Sequence, residues 1–260
     1  MRVLMIGDVV SSPGCEALRR SLPRLKKEYA VDFCIVNGEN SAVGNGITPD
    51  SYERLIAAGA DLVTGGNHSL RRPEIVQTLE SNFSFLLRPV NLHRSAPGRG
   101  LQVLEKGGLR LGVVNVMGAA FMDYAENPFD ALDSAAEAFD RADVKCRIVD
   151  LHAEATAEKR ALGFYADGRF SAVLGTHTHV QTADAELLPG GAAYITDVGM
   201  TGVHCSVLGV RTELAVQKQR TGLPVRFAAA EGDARIDAVL VQIDRSTGRA
   251  THIETFYSIR

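Results

Sequence analysis

Short apolar runs in this chain repeatedly end at residues able to bind a metal or move a proton. VLMIG is followed by Asp8, FCIVNG by Glu39 and Asn40, DLVTGG by Asn67 and His68, CRIVDL by His152, and SAVLGT by His177 and His179. Segments of helical period separate these runs, so the chain reads as alternating strands and helices and is confined to α/β architectures. Ligands of open α/β sheets bind beyond the carboxyl ends of the strands. If the strands are neighbours, these polar side chains converge on one spot. Gly7, Gly38, Gly66 and Gly175, just before the polar groups, permit the abrupt turns and close backbone approach that such crowding needs.

In more detail, residues 3–7 and 33–37 read as buried strands around a helix over 13–30 opened by a proline. A helix over 49–58 leads into a strand at 61–65, and 71–80 reads as a further helix. The stretch 101–118 is a hairpin turned at Gly107 and Gly108, which brings antiparallel pairing into the sheet. A helix at 128–142, a strand at 146–152, another helix, a strand at 171–179 and a second hairpin at 185–196 follow. VRFAAA, AVLVQID and ATHIETF close the chain as strand-like runs. No linker, repeat or low-complexity tract divides residues 1–260, which read as one α/β domain with helices covering a mixed sheet.

The two histidines of GTHTH are the sharpest local signal. On an extended segment, side chains two apart point to the same side, so His177 and His179 would present paired imidazoles at a strand end. Taken alone, such a pair is more often a pair of solvated or hydrogen-bonded histidines, while Asp8 is as well explained by a helix cap and Asn40 or Asn67 by turns. It is the ordered set that favours a metal site over those readings.

Composition excludes several other readings. A formal net charge of −3 gives no global footprint for long nucleic acids or anionic membranes. Cys15, Cys34, Cys146 and Cys205 are far apart and contain no C-x-x-C pair, against both a disulfide framework and a thiolate zinc site. The N-terminal apolar run is interrupted by Asp8, and no run of about 18 apolar residues occurs. The expectation is a cytoplasmic, unanchored protein, with homo-oligomerisation left open. There is no G-x-S-x-G elbow, and GNG at 44–46 is not a dinucleotide fingerprint.

The ordered series GD, GEN, GNH, a lone histidine after a strand, and GTHTH resembles the calcineurin-like dinuclear metallophosphoesterases. DVVSSPG, VNGENSAVGNGIT, GGNHS, VDLHAEATAEK, GTHTHVQTAD, YITDVGMTG and TGLPVRF resemble more closely the YmdB family of cyclic-nucleotide phosphodiesterases, over nearly the whole chain. The resemblance implies a metallophosphoesterase fold, with mixed β-sheets flanked by helices and a metal site at the strand carboxyl ends. It also implies that Glu39 bridges two divalent cations, that Asp8, Asn40 and His179 complete one site, and that Asn67, His152 and His177 complete the other. Such imidazole, amide and carboxylate ligation suits Fe or Mn, with Zn or Co as alternatives. Two cations roughly 3.5 to 4 Å apart would generate a bridging hydroxide for attack on a phosphodiester. By the same resemblance His68 is the proton donor to the leaving oxygen, and the substrates are 2′,3′-cyclic and in second place 3′,5′-cyclic nucleotides.

The wider superfamily opens on Asp-x-His, whereas here the third position is Val10, and Asn40 would fill the vacancy with a neutral ligand. Val203 to Ser206 depart from the branch pattern, which puts substrate contacts there in question. Glu154 and Thr156 are candidates to hydrogen-bond a ligating imidazole. Arg88, His93, Arg94 and Arg99 lie in a stretch without acidic residues, read as a solvated loop before a phosphate-facing one. The competing function class is a regulatory or RNA-associated protein with a structural or residual metal centre. His68 argues against it, since a structural site needs no proton donor.

Overall fold

The computed structural model describes residues 1–259. The strands are β1 (Arg2–Ile6), β2 (Asp8–Val9), β3 (Phe33–Asn37), β4 (Leu62–Thr64), β5 (Leu86–Leu87), β6 (Leu101–Lys106), β7 (Leu109–Met117), β8 (Arg147–His152), β9 (Ala172–Thr176), β10 (Glu186–Leu187), β11 (Ala193–Ile195), β12 (Met200–Val203), β13 (Ala234–Ile243) and β14 (Ala250–Ile259). The helices are α1 (Ser11–Glu28), α2 (Pro49–Ala58), α3 (Val76–Glu80), α4 (Pro128–Arg141), α5 (Thr156–Ala166) and α6 (Thr212–Thr221). Instead of one mixed sheet there are two. The first runs β2-β12-β13-β1-β3-β4-β5 with β14 added on β13, and the second runs β10-β11-β9-β8-β7-β6.

The apolar runs are continuous because their strands are covered on both faces. In β1, Val3 and Met5 join a core shared with Leu111, Val113, Ile148 and Leu174 of the second sheet. The alternate residues Leu4 and Ile6 pack with Leu18, Leu22 and Leu25 of α1 and Leu55 of α2. The second sheet does the same on its far side, where Val114, Val149 and Val173 meet Leu132 and Phe139 of α4 and Leu162 of α5. The order of layers is therefore helix, sheet, sheet, helix.

Local signals set most boundaries. Thr48 caps α2 in a reciprocal capping box with Ser51, Pro49 follows, and Gly59 closes the helix at φ 114°. The 101–118 hairpin forms as expected, with Gly107 and Gly108 at positive φ in its turn. The helix expected over 71–80 shrinks to a 3₁₀ turn at Pro73–Ile75 followed by α3. Pro73 pushes Arg72 into the extended region, where a helix cannot begin earlier. VRFAAA forms no strand, only an isolated bridge of Ala229 to Val210. The helix α6, in a stretch for which no element was expected, precedes it.

Parallel register aligns the carboxyl ends that matter. Ile6 pairs with Val36 and Val36 with Val63 in the first sheet, while Met117 pairs with His152 and His152 with Thr176 in the second. Both sets of ends open on the same side of the seam between the sheets. The seam is stitched there by the Asn37 amide, whose Nδ2 donates to Asp150 Oδ2 at 3.0 Å.

Candidate metal centre

The first sheet delivers Asp8 after β1, Glu39 and Asn40 after β3, and Asn67 and His68 after β4. The second delivers His152 as the last residue of β8, and His177 and His179 just after β9. All of them meet at the seam. Donor atoms of Asp8, Glu39 and His179 lie within 4.8 Å of one another, and Asn40 Nδ2 is 3.2 Å from His179 Nε2. On the other side His152 Nε2 lies 3.0 Å from Asn67 Oδ1, 3.1 Å from His177 Nδ1 and 3.5 Å from Glu39 Oε2. Glu39 thus stands between the two groups.

His177 and His179 do not reach the site in the expected way. Strand β9 ends at Thr176, and both histidines adopt positive φ, 106° and 65°. The pair is presented by a left-handed loop, not by alternation along a strand. What holds this loop is a buried ion pair: Lys159 Nζ donates to Thr176 O and to Asp197 Oδ2, each at 2.8 Å. Asp197 Oδ2 also accepts from Thr178 N at 2.9 Å, so the pair fastens the backbone on either side of His177. Neither Lys159 nor Asp197 stood out in the sequence. Both belong to motifs, HAEATAEK and ITDVGMTG, that carried the family resemblance without either residue being singled out.

His152 is fixed by a different device. Thr176 Oγ1 donates to Asp150 Oδ1 at 2.8 Å and therefore accepts the hydrogen of His152 Nδ1 at 2.9 Å. The protonated Nδ1 leaves the Nε2 lone pair facing Asn67 and Glu39. Burial lowers the His152 pKa to about 3, and burial also lowers His177 and His179, so the three imidazoles are neutral and able to donate lone pairs. Gly66 is required beside this ring, since a Cβ there would lie 2.4 Å from His152 Nε2. At Gly175 a Cβ would lie 1.8 Å from Thr196 O. Neither glycine has a positive φ; close approach alone excludes a side chain.

The electrostatics suit a cation. Burial works against ionisation of Glu39, but His152 and the hydrogen bonds from His68 outweigh it and hold the pKa down to about 2. Asp8 goes the other way, raised well above the usual carboxylate range by burial and then by Glu39. Asp8 is fully buried and its Oδ1 has no hydrogen-bond partner among the described residues, although it faces His179 Nε2 at 3.8 Å. On the other side an imidazole lone pair faces the Asn67 amide oxygen. Acceptors directed at acceptors are costly unless a positive charge lies among them. The carboxylates of Asp8 and Glu39, the Asn67 oxygen and the three imidazoles fit divalent metal ions, and Asn40 joins them with its amide turned so that Oδ1 in place of Nδ2 faces His179.

The remaining sequence candidates sort clearly. His68 donates its backbone N–H to Glu39 Oε2 at 2.9 Å, and its Nδ1 lies 3.1 Å from both Glu39 Oε1 and Asn40 Oδ1. Glu154 contacts an imidazole, with Oε2 3.0 Å from His177 Nε2. Thr156 begins α5 and makes no such contact among the described residues. Arg88 is buried and folds its own loop by donating to the carbonyls of Pro89, Val90, Ala96 and Pro97. Arg99 donates to Ser81 O.

Glu39, Asn40, His68, His177 and His179 line a cavity of about 590 Å³, whose lining also includes Leu208, Gly209, Val210, Arg226 and Phe227. Val203 to Ser206, where the sequence departs from the branch pattern, are not among the residues lining it. Ser206 Oγ instead ties Val203 O to Gly209 N.

A model of the YmdB-like protein family matches residues 4–256. The chain belongs to the YmdB-like family. Over 255 residues it is 46% identical to the 2′,3′-cyclic-nucleotide 2′-phosphodiesterase of Bacillus subtilis (strain 168), covering 98% of this chain and 96% of that one. Among solved structures, a hypothetical protein from Thermus thermophilus superposes with a TM-score of 0.93 at 45% identity, covering 100% of this chain and 99% of that one. A phosphatase from Mycoplasma pneumoniae superposes with a TM-score of 0.92 at 31% identity, covering 100% and 93%. The mixed α/β architecture is the metallophosphoesterase fold that the motifs led one to expect, and membership of this family implies divalent metal ions.

Proposed function

We propose that this chain is a metal-dependent phosphoric diester hydrolase acting on small nucleotide phosphodiesters, 2′,3′-cyclic nucleotides first and 3′,5′-cyclic nucleotides second. The observation that carries the reading is the convergence of Asp8, Glu39 and His179 within 4.8 Å, with Glu39 and His179 lining a cavity and a second histidine-rich group on the far side of Glu39. The relative from Bacillus subtilis, similar along 98% of this chain, supports the substrate class. The core shared by both sheets supports treating residues 1–260 as one catalytic domain. No described helix is long and apolar enough to cross a membrane, and cytoplasmic action is part of the proposal.

In this reading Glu39 would serve both of two transition-metal ions, Fe or Mn before Zn or Co, with Asp8, Asn40 and His179 completing one set of ligands and Asn67, His152 and His177 the other. When bound, such ions would polarise phosphoryl oxygens and acidify water. The neutral imidazoles supply lone pairs without adding charge, and the low pKa of Glu39 keeps its carboxylate ionised at any working pH. His68 moves the proton. Its Nδ1 is anchored on the oxygens of Glu39 and Asn40, and its Nε2, at the partly exposed edge 3.4 Å from Asn67 Nδ2, is the atom that protonates the leaving ribose oxygen. Water returns the proton once the product has left.

The test is elemental analysis of protein purified without chelator, paired with hydrolysis of cyclic nucleotides and bis(p-nitrophenyl) phosphate. The expected result is about two transition-metal ions per chain with turnover that chelation abolishes. Full activity with a single firmly bound metal would overturn the assignment.

A further inference from the structure

The cavity over the metal centre has two chemically different ends. At its floor stand Glu39, Asn40, His68, His177 and His179. The rest of the lining includes the apolar Val10, Leu208, Val210 and Phe227 and two cations: Arg72, which donates to the carbonyls of Val43 and Asn45, and Arg226, next to Phe227 in the chain. Phe227 is 48% exposed, and Leu208 beside it 46%. A half-exposed phenyl ring on a cavity wall gains little from the core, so something other than its own burial must hold it.

Main-chain pairing does so. Arg211 N donates to Ala228 O at 3.1 Å and Ala230 N to Gly209 O at 2.9 Å, which clamps segment 225–230 onto segment 207–211. Gly209, at φ 88°, approaches Val10 so closely that a Cβ would lie 2.5 Å from its Cγ1. The wall is thereby seated against the start of α1. Arg211 and Arg235 are tied to Glu213 and Asp237, whereas Arg226 pairs with no carboxylate among the described residues.

A flat apolar surface, an uncommitted guanidinium and a phosphoryl-binding floor in one cavity match a ligand with a flat aromatic part and an anionic part. We infer that Arg226 and Phe227 are specificity-determining residues: Phe227 stacks on the nucleobase and Arg226 attracts the phosphate charge, so the site selects nucleotides over base-free phosphoesters. The inference rests on the nucleotide phosphodiester reading and supplies the part of the site that would recognise the nucleoside.

The experiment is direct binding to the metal-containing protein of adenosine 3′-monophosphate, adenosine and ribose 5-phosphate. Phe227→Ala should weaken the monophosphate about 5- to 100-fold, the range for loss of one stacked base, and leave ribose 5-phosphate unchanged. Arg226→Met should weaken both phosphates by the same factor and leave adenosine unchanged. The sequence contains no tryptophan, so Phe227→Trp introduces a single indole that reports contact without removing the ring. Its fluorescence should be quenched by adenosine 3′-monophosphate and not by ribose 5-phosphate. Equal quenching by the two, or an unchanged monophosphate affinity in Phe227→Ala, overturns the inference, and so does a wild-type protein that binds no adenosine 3′-monophosphate. Hydrolysis of bis(p-nitrophenyl) phosphate by the same wild-type preparation reports separately on the phosphodiesterase reading.

Discussion

His152 is the last residue of a central strand, with its ring buried and its Nδ1 tied through Thr176 to Asp150. His177 and His179 stand on a loop, partly open to the cavity, in backbone conformations that non-glycine residues seldom adopt. One imidazole inherits its position from the sheet ladder and needs only a hydrogen bond to set its tautomer. The other two inherit nothing from the ladder, and their position depends on the buried Lys159–Asp197 pair beneath them. A strand end gives a ligand direction at little cost, while a loop gives access to solvent and substrate but must be fastened from behind.

That difference can be attacked from its common point first. Glu39→Ala removes the carboxylate between the two groups and should empty both, with turnover falling by more than about 10⁴-fold, since charge stabilisation worth several kcal/mol is lost at each ion. Elemental analysis showing one ion retained would mean that strand-borne and loop-borne ligands work independently of Glu39. His68→Ala should cost about 10² to 10⁴ in turnover on a cyclic nucleotide, and far less on bis(p-nitrophenyl) phosphate, whose leaving group scarcely needs a proton. Metal content should stay at the wild-type level; an equal fall on both substrates would make His68 a phosphate or metal contact instead.

Two further substitutions separate the halves. Lys159→Met strands Asp197 as an uncompensated buried charge and should destabilise the fold by about 3–5 kcal/mol in urea titration. Anomalous diffraction should then show lower occupancy in the group that His177 completes, because the pair fastens the backbone on either side of that residue. Unchanged occupancy there would overturn the assignment of Lys159 to the loop. Thr176→Val deletes only the hydroxyl between His152 and Asp150, and about a 10- to 100-fold loss of metal affinity at His152 is expected from removing such a partner. An unchanged affinity would show that the ladder alone orients the ring.

The strand-borne half was readable from the chain, because an apolar run ending in glycine and then a carboxylate, amide or imidazole states both the strand and where it opens. The loop-borne half was readable only as a pair of residues. An i, i+2 spacing looks the same on a strand and on a left-handed loop, and nothing local reports φ. Lys159 was hidden for a related reason: a lysine on a polar helix is ordinarily solvated, and its complete burial depends on Asp197, 38 residues away, reaching the same point. The division into two sheets was equally hidden, since a run buried on both faces does not say whether a helix or another sheet covers it.

In the proposed assignment each ligand group draws from both sheets: Asp8 and Asn40 with His179, and Asn67 with His152 and His177. An ion held by either group is then a rivet through the seam. Sliding or prising the sheets apart, otherwise resisted at that end by Asn37 and Asp150, would first have to strip the ions of their ligands. Resistance to proteolysis and to thermal inactivation should therefore track metal supply, through linkage between occupancy and the closed state. The groups proposed for catalysis would in this way also govern how long the molecule survives.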